Sequence, residues 1–110
     1  MIVRSWHGVV PAAQGEAFRA YLLRTGVAET QAILGNRGSY IYSRERDGWE
    51  HFFMVSYWDN WEAIRIFAGP DPQIAVDYPE DRKFGLIADP IVLHHEVVGA
   101  PAGFPGFSNL

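Results

Sequence analysis

Four histidines and an unusual density of aromatic rings are the residues of this chain best suited to chemistry. An imidazole titrates near pH 6.5, so His7, His51, His94 and His95 are its readiest proton-transfer groups. His94-His95-Glu96 invites a metal reading. Neighbours on a strand point to opposite faces, however, so the two imidazoles cannot readily chelate one ion. A metal site would need His7 or His51 from another strand and a carboxylate such as Asp77 or Glu96. The spacing gives no support for that, and no metal is expected.

Aromatic residues make up 15% of the chain, with four Trp, five Tyr and seven Phe. Phe67 and Phe84 read first as core. Trp and Tyr carry polar handles that seek partners when buried. Trp6, Trp58, Trp61 and Tyr78, converging between a sheet and a helix, would form a flat slot with a few hydrogen-bond donors. Such a slot suits a planar organic ligand, and Asp77-Tyr78 stands where a loop could close its mouth. Glu16, Arg19, Arg24, Glu29 and Arg44-Glu45-Arg46 read as solvated charge. There is no nucleophile elbow, P-loop or dinucleotide fingerprint. Gly99, Gly103 and Gly106 are wrongly spaced for one, and no serine has an elbow context.

These side chains need elements to hold them. Residues 2–10 are β-branched and apolar without a helical period, which predicts a strand. Pro11 suits a first helical position, where its missing N–H is tolerated. Phe18, Tyr21, Leu22 and Thr25 form the stripe of an amphipathic helix, and Gly26 is expected to end it in a left-handed conformation. Residues 27–34 would add one short turn, closed by Gly35-Asn36. Residues 39–46 and 49–58 read as strands joined at Asp47-Gly48, a strong hairpin signal. Asp59 reads as the N-cap of the next helix, with Glu62 completing a capping box. Trp61, Ile64 and Ala68 share a stripe there, with Phe67 beside it, and Gly69-Pro70 stops the helix. Pro79-Glu80-Asp81 marks another short helix, and residues 91–98 read as a last strand.

The order is β-α-β-β-α-β, an α+β, ferredoxin-like plan with a four-stranded antiparallel sheet. Right-handed crossovers place both helices on one face. On the third strand Phe52, Met54 and Trp58 point one way, and Phe53, Val55 and Tyr57 the other. Leaving large apolar side chains wet forgoes on the order of 1.5–3 kcal/mol each. A homodimer through the bare sheet faces is therefore expected.

With 110 residues, 48% hydrophobic and 20% charged, the chain is one globular domain. The net charge is −4 and the nine basic residues are scattered among acids, which argues against nucleic acid as a partner. No apolar run is long enough for a membrane span. The absence of cysteine excludes disulfides and thiolate metal sites. With no charged-then-apolar leader in the sequence, a cytoplasmic location is expected. From Gly99 the sequence is a Gly/Pro/Phe-rich tail without periodicity. Its Phe104 and Phe107 could dock on a partner subunit, with disorder the favoured expectation.

Over about residues 1–98 the sequence resembles the antibiotic biosynthesis monooxygenase-like family of dimeric α+β barrels. The resemblance rests on Arg4-Ser5-Trp6, Gly35-Asn36-Arg37-Gly38 and Ser56-Tyr57-Trp58-Asp59 running into Trp61-Glu62-Ala63-Ile64. It extends through Phe67-Ala68-Gly69, Tyr78-Pro79-Glu80-Asp81 with Phe84, and Pro90 leading to His94-His95-Glu96-Val97. It implies a homodimer of back-to-back sheets with a pocket in each subunit. It does not imply one chemistry: some members oxidise polycyclic phenols without metal or flavin, others degrade haem, and others are isomerases or have no known activity. The haem-degrading branch is expected to carry an Asn on the first strand, a Trp in the second helix and a His shortly after it. The matching places here are Trp6 or His7, Phe67, and Asp77 or Tyr78, and none fits. Haem binding through a histidine stays open.

The expected function is a cofactor-independent monooxygenase-like enzyme for a small aromatic or phenolic compound. The alternative is a non-catalytic ligand-binding barrel, or an isomerase or haem-binding relative. His94 is the candidate base, favoured over His95 by the resemblance, and Arg4 the candidate stabiliser of developing negative charge. Trp6, Tyr57, Trp61, Phe67, Tyr78 and His95 are the candidate ligand contacts.

Overall fold

A computed structural model describes residues 1–103; Phe104, Phe107 and the rest of 104–110 lie outside the described residues. The sheet is built around β1 (Ile2–Pro11), the apolar, β-branched first segment. β3 (Trp49–Trp58) runs antiparallel along one edge of β1 for its whole length, from Ile2↔Trp58 to Pro11↔Trp49. β2 (Asn36–Arg46) lies outside β3, beginning three residues earlier than the sequence pattern indicates. Asp47 (φ 52°) and Gly48 (φ 83°) both take the left-handed conformation that a tight hairpin between twisted strands requires.

The fourth row of the sheet is in two pieces. β4 (Ile87–Ala88) pairs with Gly8-Val9, and β5 (Leu93–Glu96) pairs with Ile2–Ser5, both antiparallel to β1. The expected strand at 91–98 is therefore shorter, and a fifth strand precedes it. Pro90 has no N–H to give the ladder. Around it the chain turns to another partner: Val92 N–H donates to Gln73 C=O and Ala75 N–H to Pro90 C=O.

All helical segments pack on one face. α1 (Gly15–Leu22) passes through a π-helical turn, Leu23–Val27, into the short α2 (Ala28–Gln31). Gly26 thus does not end the helix, contrary to expectation. Its φ is not positive, and Thr30 Oγ1 donates to the Gly26 carbonyl. A methyl group there would sit 2.8 Å from Met54 Sδ, so glycine serves close approach to β3 rather than a cap. α3 (Trp61–Ala68) is capped by Asn60, whose Oδ1 accepts from Ala63 N–H at 2.9 Å. The cap is therefore one residue later than the expected Asp59, whose carboxylate instead takes the Arg37 Nε–H at 2.7 Å.

Two cores form between helices and sheet. One gathers Val10, Phe18, Tyr21, Leu22, Phe52 and Phe84 under α1. The other gathers Ile2, Trp58, Ala63 and Ile64 under α3. Among the described residues no helix is long and apolar enough to cross a membrane.

Candidate functional site

The inward positions of β1 read Ile2, Arg4, Trp6, Gly8, Val10, and those of β3 read Phe52, Met54, Ser56, Trp58. Their ends belong to the two cores. Their middles do not: Arg4 faces Ser56 and Trp6 faces Met54 across the ladder. All four line a cavity between the cores, closed by Phe18, Leu22 and Gly26 on the α1 side and by Phe67, Val76, Tyr78 and Asp81 on the other. Its free interior is small, about 40 Å³ of space for the centres of water-sized atoms, and it opens to solvent at its mouth. Sites for small organic ligands are of this kind, mostly apolar with a few convergent polar groups.

Arg4 is only 4% exposed, and no carboxylate among the described residues pairs with it. Its Nη1 donates to the Pro72 carbonyl and to His94 Nε2, the latter at 3.1 Å. The Phe67 ring lies beneath the guanidinium, 5.8 Å from Cζ to centroid. Burial pulls the Arg4 pKa down to about 10, with Tyr78 opposing, so it is still a cation at neutral pH. Burial, then Arg4, then His95 pull His94 down to about 4. A guanidinium has no acceptor, so His94 Nε2 must accept, with the ring proton on Nδ1. His94 is a neutral imidazole standing behind Arg4 rather than in the cavity wall.

The cavity also has acidic neighbours. Tyr78 donates its hydroxyl to Glu29 of α2, and its backbone N–H to Asp81 Oδ2 at 3.1 Å. Burial and the Glu29 contact both raise the Tyr78 pKa and hold it as the phenol. Tyr78 and Asp81 also border a second, outer depression with Asp77, Pro79 and Arg82, so the Tyr78 ring divides inner cavity from outer recess.

Of the residues singled out from sequence, Arg4, Trp6, Phe67 and Tyr78 come together around the cavity. His94 joins them through Arg4, on the same side of the sheet. Trp61 lies against the His94 ring at 4.9 Å but outside the wall, 39% exposed. Tyr57 and His95 are on the other face: Val3 is opposite both in the ladders, and Tyr57 meets the Tyr40 ring edge-on. Sequence reasoning passed over Ser56, Met54, Pro72 and Asp81. Ser56 carried a signal, a small polar residue in the inward series Phe52, Met54, Ser56, Trp58. Pro72 acts through a backbone carbonyl, which no side-chain pattern reveals.

The open face has its own polar cluster. His7 Nδ1 lies 2.9 Å from Asp89 Oδ2, and His7 Nε2 lies 3.0 Å from His51 Nδ1. Phe53 stacks on His7 at 4.6 Å. Among the described residues no group of three or more His, Asp or Glu is placed to hold a metal ion.

No family profile matches the chain, and no curated protein matches it in sequence. Solved structures match it in fold. A heme-degrader of Mycobacterium tuberculosis, solved with two hemes bound in its active site, superposes with a TM-score of 0.63 at 19% identity, over 93% of this chain and 100% of that one. A protein of Deinococcus radiodurans assigned as an antibiotic biosynthesis monooxygenase gives 0.60 at 18%, over 92% and 96%. One of Bacillus cereus with the same assignment gives 0.57 at 14%, over 94% and 98%. The chain has the ferredoxin-like fold of antibiotic biosynthesis monooxygenase-like proteins. The cavity walls contain no histidine among the described residues, and the one imidazole nearby has Nε2 engaged by Arg4.

Proposed function

We propose that the chain is a cofactor-independent monooxygenase-like enzyme acting on a small aromatic phenolic compound, as a homodimer formed through the open sheet faces. One observation carries this reading: a cavity left between two cores, walled by aromatic rings, with a buried cation and a neutral imidazole at one end. The fold shared with assigned monooxygenases supports it.

In this reading the substrate ring lies against Trp6 and Phe67. Its phenolic oxygen accepts from Arg4, and its proton passes to His94 Nε2 once the contact between Arg4 Nη1 and His94 opens. An anion on Arg4 weakens one of the influences that depress His94, so the imidazole becomes a better base as the proton arrives. The electron-rich anion then reduces O₂. For a substrate with a benzylic methylene, oxygen adds at that carbon as a hydroperoxide, which loses water to leave a carbonyl. One oxygen atom enters the product, the other leaves as water, and the substrate supplies all four electrons. Arg4 and the ring donors stabilise the developing charge.

The test is oxygen uptake by EDTA-treated, flavin-free protein offered anthrone-like and hydroquinone-like phenols. Uptake that saturates with substrate, gives quinone, and falls about 10²–10⁴-fold in His94→Ala is the expected result. No uptake across the panel would overturn the reading. The engagement of Nε2 by Arg4 favours one competitor, a barrel that binds such a ligand without turnover.

A further inference from the structure

The Arg4 guanidinium carries five N–H donors, and its protein contacts use only Nη1. Among the described residues nothing accepts from Nε or Nη2, yet neither is a buried orphan. Arg4 lines the cavity with these two donors unspent on the described residues. Together they form the side-on edge of the fork, the geometry that meets two coplanar oxygens at once. Ser56 stands directly opposite Arg4 in the ladder and is 1% exposed. Its Oγ accepts from Trp58 Nε1 at 2.8 Å, which leaves its own hydrogen to donate into the cavity it also lines. The cavity therefore offers Arg4 and Ser56 as donors, and among the described residues no carboxylate is paired with the cation, although Asp81 also lines the wall.

We infer that the cavity takes its ligand as an anion delocalised over two coplanar oxygens, seated on the Nε–Nη2 edge of Arg4 and on the Ser56 hydroxyl. A neutral ligand would leave the buried cation uncompensated, whereas such an anion satisfies both donor sets. The anion is either an aryl carboxylate or the conjugate base of an ortho-hydroxy aryl ketone. The inference rests on reading this cavity as the ligand site, not on turnover.

Quenching of tryptophan fluorescence, with Trp6 in the wall, reads binding of naphthoate, naphthamide and an ortho-hydroxy naphthyl ketone at pH 7. Naphthoate binding at least about ten-fold tighter than naphthamide supports the carboxylate source. The phenolate absorbance of the bound ketone, at a pH where it is neutral in water, supports the other. Arg4→Gln should weaken whichever anion binds by about ten-fold or more, and Ser56→Ala by about three- to ten-fold. Equal binding of naphthamide and both oxyanion formers overturns the inference without any variant, as does anion binding unchanged in folded Arg4→Gln and Ser56→Ala. Arg4-dependent binding with no oxygen uptake upholds this inference and overturns the oxygenase reading. Uptake with binding indifferent to ligand charge does the reverse.

Discussion

Arg4 and His7 leave the same strand on opposite sides, and the two faces of the sheet treat charge in opposite ways. The inner face buries Arg4 with no carboxylate paired to it among the described residues and holds His94 neutral beside it. The outer face sets His7 against Asp89 and His51, with Phe53, Tyr40 and Tyr42 open to solvent around them. His94 and His95 repeat the contrast one residue apart. Which side a residue takes in the pleat, more than its type, decides what chemistry it can do. In the proposed reading the inner face takes a ligand and the outer face a second copy.

Neighbouring phenylalanines test this contrast most severely. Phe52 is fully buried, and Phe52→Ala should cost about 3–5 kcal/mol in urea unfolding. Phe53 is 40% exposed, and Phe53→Ala should cost under about 1.5 kcal/mol per single chain. Phe53→Asp should instead halve the mass seen in sedimentation while leaving the circular dichroism of the fold intact. A next, smaller effect belongs to the π-helical turn. Gly26→Ala presses a methyl group onto Met54 and should cost about 1–3 kcal/mol, with weaker ligand binding in the cavity both residues line. Smaller again is the cap of α3: Asn60→Ala should lower stability by about 1 kcal/mol and Asp59→Ala by less.

The last effect is read as a slope against pH. The folded His94 pKa, about 4, lies below the ordinary 6.5, so between these values the unfolded chain binds the proton first. Stability supplied by neutral His94 is therefore complete above pH 6.5 and lost as pH falls toward 4. His94→Asn should flatten the fall of Tm over that window. An unchanged slope would place His94 in water and erase the difference between the faces.

Much of this was legible in the sequence. Period-two alternation through Phe52–Trp58 gave the two faces of β3, and Asp47-Gly48 gave the hairpin, because each is a local rule obeyed locally. Gly26 misled, since glycine at the end of an amphipathic stripe reads as a stop, while here it serves contact with a strand distant in sequence. The break at Pro90 was also hidden, because it depends on hydrogen bonds to Gln73 and Ala75 across the fold. Arg4, Trp6, Phe67 and Tyr78 were found as types that suit a ligand site. Alternation already set Tyr57 on the outer face, whereas His95 required the register, which pairs it with Val3 there.

The adjacent histidines offer the most direct test of an inner face that does chemistry and an outer face that does not. Oxygen uptake with an accepted anthrone-like phenol should be compared in wild type, His94→Ala and His95→Ala, with EDTA present and flavin absent. The division of the faces predicts that uptake collapses in His94→Ala and persists in His95→Ala. Collapse in His95→Ala with His94→Ala unaffected, or equal rates in all three, would contradict it.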